Sequence, residues 1–476
     1  MVVRKFFPGS AYKGETQWPQ IMAVLIGSLS GLTEGLLFAW SSPFLIKITH
    51  DKVNYDISEE QASYFVTIQP LAMMASSPIF SHLCDVIGRK KTLMLISIPQ
   101  VLSWVLAGVA KNVYVFYAAR ALAGMGNACF YSAFAIYIGE VANPTVRGTF
   151  GNSIAFTFYL GDFLIAVIGS YWSVQLTSCV CVTLPVLFLI LFSFMPESPY
   201  WLVMKGREEE AKKSLKFLKR KEHIDEDYIQ LKKDVERQMS DQKGLKSLFK
   251  TRSSRRGLLA CIFLRFSQQL GGLNVFMAYT QFIFHKSGSF LSDTKGAQIY
   301  TALNFGFNII VSMFVVDRLG RRKGYITSLL ATAVVLFTMA TYFYLDENVD
   351  IDVSSFNFIP LAGMVLYLIF SSFGMAVIPT LMLGEVFSAR QKANALTILL
   401  FVFGSAAFIS NQLFYYLNSR VGFYFPFYFF CACNIVSSFI AYLIVPETKG
   451  KTLEEIQEDL RGHSEKEKEV EIENKI

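Results

Sequence analysis

Charge is scarce in this chain. Of 476 residues only 17% are Asp, Glu, Lys or Arg, against about 25% in an ordinary soluble domain. With 53% hydrophobic residues, 44 of them Phe, the shortfall argues against a cytosolic enzyme, a nucleic-acid binder and a disordered regulator. Histidine is rarer still, with five scattered residues. No metal-ligand cluster, nucleotide loop or nucleophile–base pair stands out, so no catalytic centre, metal site or cofactor is expected. N-x-Ser/Thr sequons are missing, so no glycosylation mark fixes an outer loop. The seven cysteines lie in or beside apolar stretches rather than in polar loops, which reads as small hydrophobes and not as a disulfide framework. Arg4 and Lys5 precede Pro8 without an apolar core between, so no cleaved signal peptide is expected.

What the chain has instead is long apolar runs. A bilayer core of about 30 Å needs about 20 apolar helical residues. By that measure twelve spans are expected, near 20–42, 64–84, 92–110, 114–138, 150–172 and 176–195, then near 257–285, 297–316, 324–345, 359–384, 393–416 and 423–445. The expected class is an all-α membrane protein: six helices in 1–204, a charged linker in 205–256, six more in 257–446 and a charged tail in 447–476. The linker shows helical spacing in Arg207–Leu218 and Asp225–Met239, with an apolar stripe of Leu215, Leu218, Ile229 and Leu231. In the tail, Leu453–Leu460 is expected to be helical.

The net charge of +7 is read by position. About six basic residues (Lys47, Lys52, Lys111, Lys286, Lys295, Arg420) fall opposite the linker, while the even-numbered connections carry the rest. Both termini are therefore expected in the cytoplasm.

The halves repeat each other. Asp85-Val-Ile-Gly-Arg-Lys-Lys91 recurs as Asp317-Arg-Leu-Gly-Arg-Arg-Lys323. Glu140 with Arg147 recurs as Glu385 with Lys392, and Pro196-Glu-Ser-Pro as Pro446-Glu-Thr-Lys. Three matches in the same order point to two parallel six-helix bundles, the pattern of major facilitator transporters.

Uncharged polar residues inside the spans suggest a substrate path, since lipid tolerates them only against protein or water. Gln268 and Gln269 lie about 17–18 Å into the seventh span at 1.5 Å per residue. Asn274, six residues after Gln268, is expected on a neighbouring face. Amides both donate and accept, as a neutral sugar requires; equally, they can join helices in lipid.

These motifs, with Arg120-Ala-Leu-Ala-Gly-Met-Gly126, Gln268-Gln-Leu-Gly-Gly-Leu-Asn274 and Pro446-Glu-Thr-Lys-Gly-Lys-Thr452, resemble the sugar porter family of the major facilitator superfamily over essentially the whole chain. Within it the sequence is similar to arthropod facilitated trehalose and hexose transporters. The resemblance implies sugar binding by Gln268, Gln269, Asn274 and Asn304, with Tyr279 as a gating residue. It also implies a salt-bridge gate of Asp85 with Arg89, Glu140 with Arg147, Asp317 with Arg321 and Glu385 with Lys392. The bland alternative is positive-inside anchoring.

The family pattern is not kept throughout. A span-5 glutamine is Ala155. The Gly-Pro-x-Pro-Trp turn of span 10 reads Ala376-Val-Ile-Pro-Thr380, with Val377 and Thr380 replacing a proline and the indole. Leu37 stands where proton-linked porters carry an aspartate, which favours facilitated diffusion. Glu34, Arg120 and Asp162 all come out roughly 10 Å below the outer surface at 1.5 Å per residue, as a structural ion pair or a proton relay. Arg265, one turn before Gln268, either snorkels or favours a negatively charged substrate. The expected function is alternating-access passage of a neutral sugar, by a monomer in the plasma membrane, with the lipid bilayer and the sugar as partners and no nucleic acid. The alternatives are a proton-coupled symporter, a non-transporting sugar sensor and a porter for small organic ions.

Overall fold

The computed structural model describes residues 17–150, 153–221, 223–240, 247–288, 291–314, 320–349, 354–387, 389–451 and 453–461. Regular structure among them is helical. The chain divides into two compact units, residues 1–242 and 243–476.

In the first unit the six expected passages are Trp18–His50, Glu59–Ile87, Arg89–Val109, Val113–Val141, Ser153–Tyr171 and Val174–Ser193. Local chemistry sets their starts. Ser58 and Gln61 form a reciprocal capping box ahead of Glu59 and Glu60, which place negative charge at the helix N-terminus. Asn112 and Ser173 cap the fourth and sixth passages. The first passage runs along the fifth, and the second along the fourth. Gly35 and Gly161 permit the first of these contacts: a Cβ on either would collide with a backbone carbonyl of the facing helix, that of Phe158 or Leu32. Small residues are how helices in lipid approach closely.

The linker helices Glu208–Lys219 and Asp225–Ser240 pack within this unit on Trp201 and Leu202. One face differs from the expected stripe. Leu215 and Leu218 are buried, but Ile229 is exposed, and the second helix turns Tyr228 and Val235 inward with Leu231 partly buried. The spacing 228, 231, 235 is one helical stripe; Ile229 lies about 100° away from Tyr228.

In the second unit the passages are Arg252–Lys286, Asp293–Phe314, Arg321–Asn348, Ile359–Val386, Ala389–Arg420 and Phe425–Ile444. The Arg321–Asn348 helix runs along both Phe425–Ile444 and Ile359–Phe373. Two passages are not the continuous helices that apolar length alone suggests. The seventh is three pieces, Arg252–Leu270, Leu273–Ala278 and Thr280–Lys286, divided first at Gly271-Gly272, where Gly272 has a φ of 93°, a conformation that costs glycine nothing. The tenth stops at Phe373 and restarts at Ile378. Nine helices among the described residues are long and apolar enough to cross a membrane by length and composition. The other three passages, Glu59–Ile87, Arg252–Lys286 and Asp293–Phe314, carry charged or polar residues, prolines or breaks that shorten their apolar length. The tail helix Leu453–Arg461 is where the spacing predicts it.

Candidate functional site

The charged repeats build the same constellation in each unit. In the first, Arg89 donates from Nε to Glu140 at 2.9 Å and from Nη1 to Asp85 at 3.1 Å. Ser198 Oγ donates to Glu140. The Glu197 carboxylate accepts from the backbone N–H groups of Arg89, Lys90 and Ser198, each at 2.9 Å, at the start of the Arg89–Leu95 helix. An anion there meets unpaired N–H groups and the positive end of the helix dipole. Gly88 makes this approach possible. Its φ is 105°, and a Cβ would strike Glu197 Oε2.

In the second unit Arg321 Nη2 donates to Glu385 at 2.7 Å, Thr448 Oγ1 donates to Glu385, and Glu447 accepts from the N–H groups of Arg321 and Arg322 at 2.8 and 3.2 Å. Burial alone would raise the Glu447 pKa, but these N–H donors, with those of Lys449 and Thr448, outweigh it and hold the carboxyl below the ordinary range.

The pairing is therefore not Glu140 with Arg147. Arg147 donates instead to the backbone carbonyls of Gly139 and Ala142, because the fourth passage ends at Val141 and a new helix begins at Pro144. Seven residues across that break are not two turns of one helix. Glu385 holds Arg321 and Thr448, and Lys392 too has interactions. Asp317 lies outside the described residues.

The buried ionic groups of the first unit do not form the expected ion pair. Arg120 donates to the backbone carbonyls of Phe65 and Leu37 at 2.8 and 2.6 Å, and to Gln69 Oε1. Its guanidinium stands 5.4 Å from the centre of the Trp40 ring. Glu34 accepts from Gln100 Nε2 at 2.6 Å through Oε1, while Oε2 has no partner among the described residues. Equal depth along two helices does not make two side chains face each other. Asp162 is buried and has interactions of its own.

In the second unit the sequence-predicted polar residues are all buried: Gln268, Gln269, Asn274, Tyr279 and Asn304. Gln268 is fully engaged as a donor, its Nε2 bonding to the carbonyls of Met375 and Ala376 at 2.9 and 3.1 Å. Gln269 is the opposite case: both its amide oxygen and its amide nitrogen lack partners among the described residues. The Tyr279 hydroxyl also lacks one, its ring lying 4.9 Å from that of Phe414. Asn304 accepts from Asn308 Nδ2 at 2.7 Å. Asn274 sits past the Gly271-Gly272 break, so the face it presents relative to Gln268 does not follow from a six-residue helical spacing. Arg265 donates to Gln268 and Thr380 at 3.2 and 3.0 Å.

Sequence reasoning overlooked Gln69 and Gln100, the amides that serve Arg120 and Glu34. It also overlooked Asn411 and Gln412, whose side-chain oxygens are buried without partners among the described residues. The available signal was the one used for Gln268: an amide inside an apolar run. Glu197, Ser198, Glu447 and Thr448 were visible only as a repeated motif.

Two six-helix units carrying duplicated charge clusters, with buried span amides that lack partners among the described residues, are the build of a multi-pass membrane transporter. The chain belongs to the sugar (and other) transporter family, whose sequence model matches residues 21–460. It is 31% identical over 450 residues to Facilitated trehalose transporter Tret1 of Polypedilum vanderplanki, covering 94% of this chain and 88% of that one. Proteins of the same name from Anopheles gambiae and Drosophila grimshawi are 31% and 32% identical, again over 94% of this chain, which spans about half of their length, 56% and 48%. Among solved structures the chain is similar to the proton:xylose symporter XylE bound to 6-bromo-6-deoxy-D-glucose, with a TM-score of 0.73 at 19% identity over 93% of this chain and 99% of that one. It is also similar to the inward open conformation of the xylose transporter XylE from E. coli, at 0.74 and 19% over 91% and 98%. At such identity the likeness establishes the fold alone.

Proposed function

We propose that this chain carries a neutral sugar, a hexose or trehalose, by facilitated diffusion through alternating access, as a monomer in the plasma membrane with both termini cytoplasmic. The observation that carries the reading is Gln269. A buried amide with neither atom bonded costs about 1–3 kcal/mol per unmet group, and such a group in a native protein calls for a ligand or water. A sugar hydroxyl both donates and accepts, so it answers the amide's two ends. The Tyr279 hydroxyl adds a second unmet group, and Asn274 and Asn304 complete a neutral set. Support for the substrate class comes from the trehalose transporters the chain resembles, and for the orientation from the excess of Lys and Arg on the linker side.

Diffusion without proton coupling is supported by Arg120. Three of its five N–H groups are bonded to two backbone carbonyls, one of them that of Leu37, and an amide, and none of these partners is a titrating acid. The second reading, proton-coupled symport, rests on Glu34, whose Oε2 is buried and unpartnered among the described residues. The test is radiotracer uptake of trehalose, glucose and fructose in oocytes at two pH values, with Gln269→Leu alongside. Saturable, pH-independent uptake that Gln269→Leu weakens is expected. Absence of flux for all three sugars overturns the reading.

A further inference from the structure

Arg265, Gln268 and Thr380 form a chain of hydrogen bonds across two interrupted spans, and its chemistry assigns each member a different task. The tenth span breaks between Phe373 and Ile378. In a continuous helix the Met375 carbonyl would accept from the residue four positions on, but that residue is Pro379, which has no N–H. The Ala376 carbonyl would accept from Thr380, whose N–H goes to Val377 instead, at 3.1 Å. Both stranded carbonyls are taken by one group, the Gln268 amide nitrogen. An amide NH2 has two hydrogens, so Gln268 has no N–H left for a sugar.

Arg265 makes that commitment one-directional. Its Nη1 donates to Gln268 Oε1 at 3.2 Å, and its Nη2 donates to Thr380 Oγ1 at 3.0 Å on the far side of the break. Its guanidinium lies 5.9 Å from the centre of the Phe403 ring. If the amide flipped, its NH2 would face a cation and its oxygen would face two carbonyl oxygens. The guanidinium therefore permits only one amide orientation, and it clasps both the seventh and the tenth span.

We infer that Arg265 is a positioning residue that dedicates Gln268 to bracing the break in the tenth span, so that substrate recognition falls to Gln269 and Tyr279 with Asn274 and Asn304, and the Arg265–Gln268–Thr380 link sets the rate of turnover rather than affinity. The inference deepens the sugar-carrier reading and rests on it for the substrate measurement alone.

Two measurements separate the possibilities. The first uses no sugar: a double-mutant cycle of Arg265→Leu, Gln268→Leu and the double variant, read as thermal stability of the purified full-length protein. Strong coupling is expected, with the double variant no less stable than the worse single one. Additive losses overturn the inference whatever the substrate. The second measures trehalose and glucose binding and transport in proteoliposomes. Arg265→Leu and Gln268→Leu are expected to cut maximal transport tenfold or more with the dissociation constant within about threefold. Gln269→Leu is expected to raise the dissociation constant tenfold or more. Arg265→Lys, which keeps the cation and a donor, should restore part of the lost rate, and Thr380→Val should lose rate alone. A dissociation constant raised as much by Gln268→Leu as by Gln269→Leu overturns the inference. If wild type binds neither sugar, the sugar reading fails while the stability cycle still decides the link. Where the Leu variants do not fold, Arg265→Lys and Thr380→Val carry the same rate-against-affinity test.

Discussion

Replacing Arg89 by Leu leaves Glu140 buried with its counter-ion gone, and the size of that loss follows from exposure. The Arg89 side chain is 5% exposed and Glu140 14%, whereas Asp85, the other partner of Arg89, is 66% exposed. Breaking a buried pair from one side costs about 3–5 kcal/mol, while an exposed pair is worth about 0–1 kcal/mol. For a unit of this size each kcal/mol moves the melting temperature by about 2–4 °C. Arg89→Leu and Glu140→Gln should therefore each lower it by roughly 6–20 °C, and Asp85→Asn by no more than about 4 °C. Replacing both buried partners by Leu should recover much of the loss, because no orphaned charge is left. The counterpart Arg321–Glu385 pair is 11% and 25% exposed, so Arg321→Leu should cost less than Arg89→Leu. Thermal unfolding of the purified protein in detergent, followed by intrinsic fluorescence, reads all of these. An Asp85→Asn variant as unstable as Glu140→Gln, or a double variant showing the sum of both losses, would refute the reasoning.

Gly88→Ala should destabilise the first unit by about 1 kcal/mol or more, since it places a Cβ at a φ of 105° and against Glu197 Oε2; a melting temperature equal to wild type would count against the Glu197 cap. Glu447 gives a pH dependence. Its folded-state pKa is depressed, so its contribution is complete above the unfolded value of about 4.3 and is lost as pH falls through the lower folded value. Acid should therefore weaken the wild type more than Glu447→Gln, checked by melting temperatures between pH 7 and roughly pH 3.

Which parts were legible in the sequence follows from what each signal encodes. Apolar runs pointed to the passages, nine of which among the described residues are long and apolar enough to cross a membrane. Such runs could not reveal that Gly271-Gly272 divides the seventh, since a glycine pair leaves hydropathy almost untouched while freeing the backbone. The repeated motifs identified the charged clusters, yet the resemblance implied a pair of Glu140 with Arg147 that the helix end at Val141 prevents. Arg89 reaches Glu140 across 51 residues, a relation no local spacing contains. Glu34 and Arg120 share a depth but point to different neighbours, because rise per residue gives height and not direction around the axis. The amides at 268 and 269 look equivalent in sequence. Only the position of Pro379, which strands the Met375 carbonyl, separates their tasks.

Whether transport is coupled to protons turns on Glu34, and its surroundings give a definite expectation. Its Oε1 accepts from Gln100 at 2.6 Å, and Gly126 packs so closely that a Cβ there would stand 3.0 Å from the same oxygen. Gln at position 34 presents an identical carbonyl oxygen to Gln100, so Glu34→Gln keeps the bond, the volume and the fold. Arg120 is indifferent to the change, being held by carbonyls and Gln69. If Glu34 only fills its niche, wild type and Glu34→Gln should both equilibrate sugar without accumulating it, at equal rates at pH 5.5 and 7.5 to within roughly twofold, with no sugar-evoked current. A neutral sugar carried with a proton must move charge, and every turnover would then require that proton to enter and leave the buried carboxyl. Acid-stimulated inward current in the wild type, abolished in Glu34→Gln while sugar exchange persists, would assign the coupling to this carboxyl and overturn facilitated diffusion.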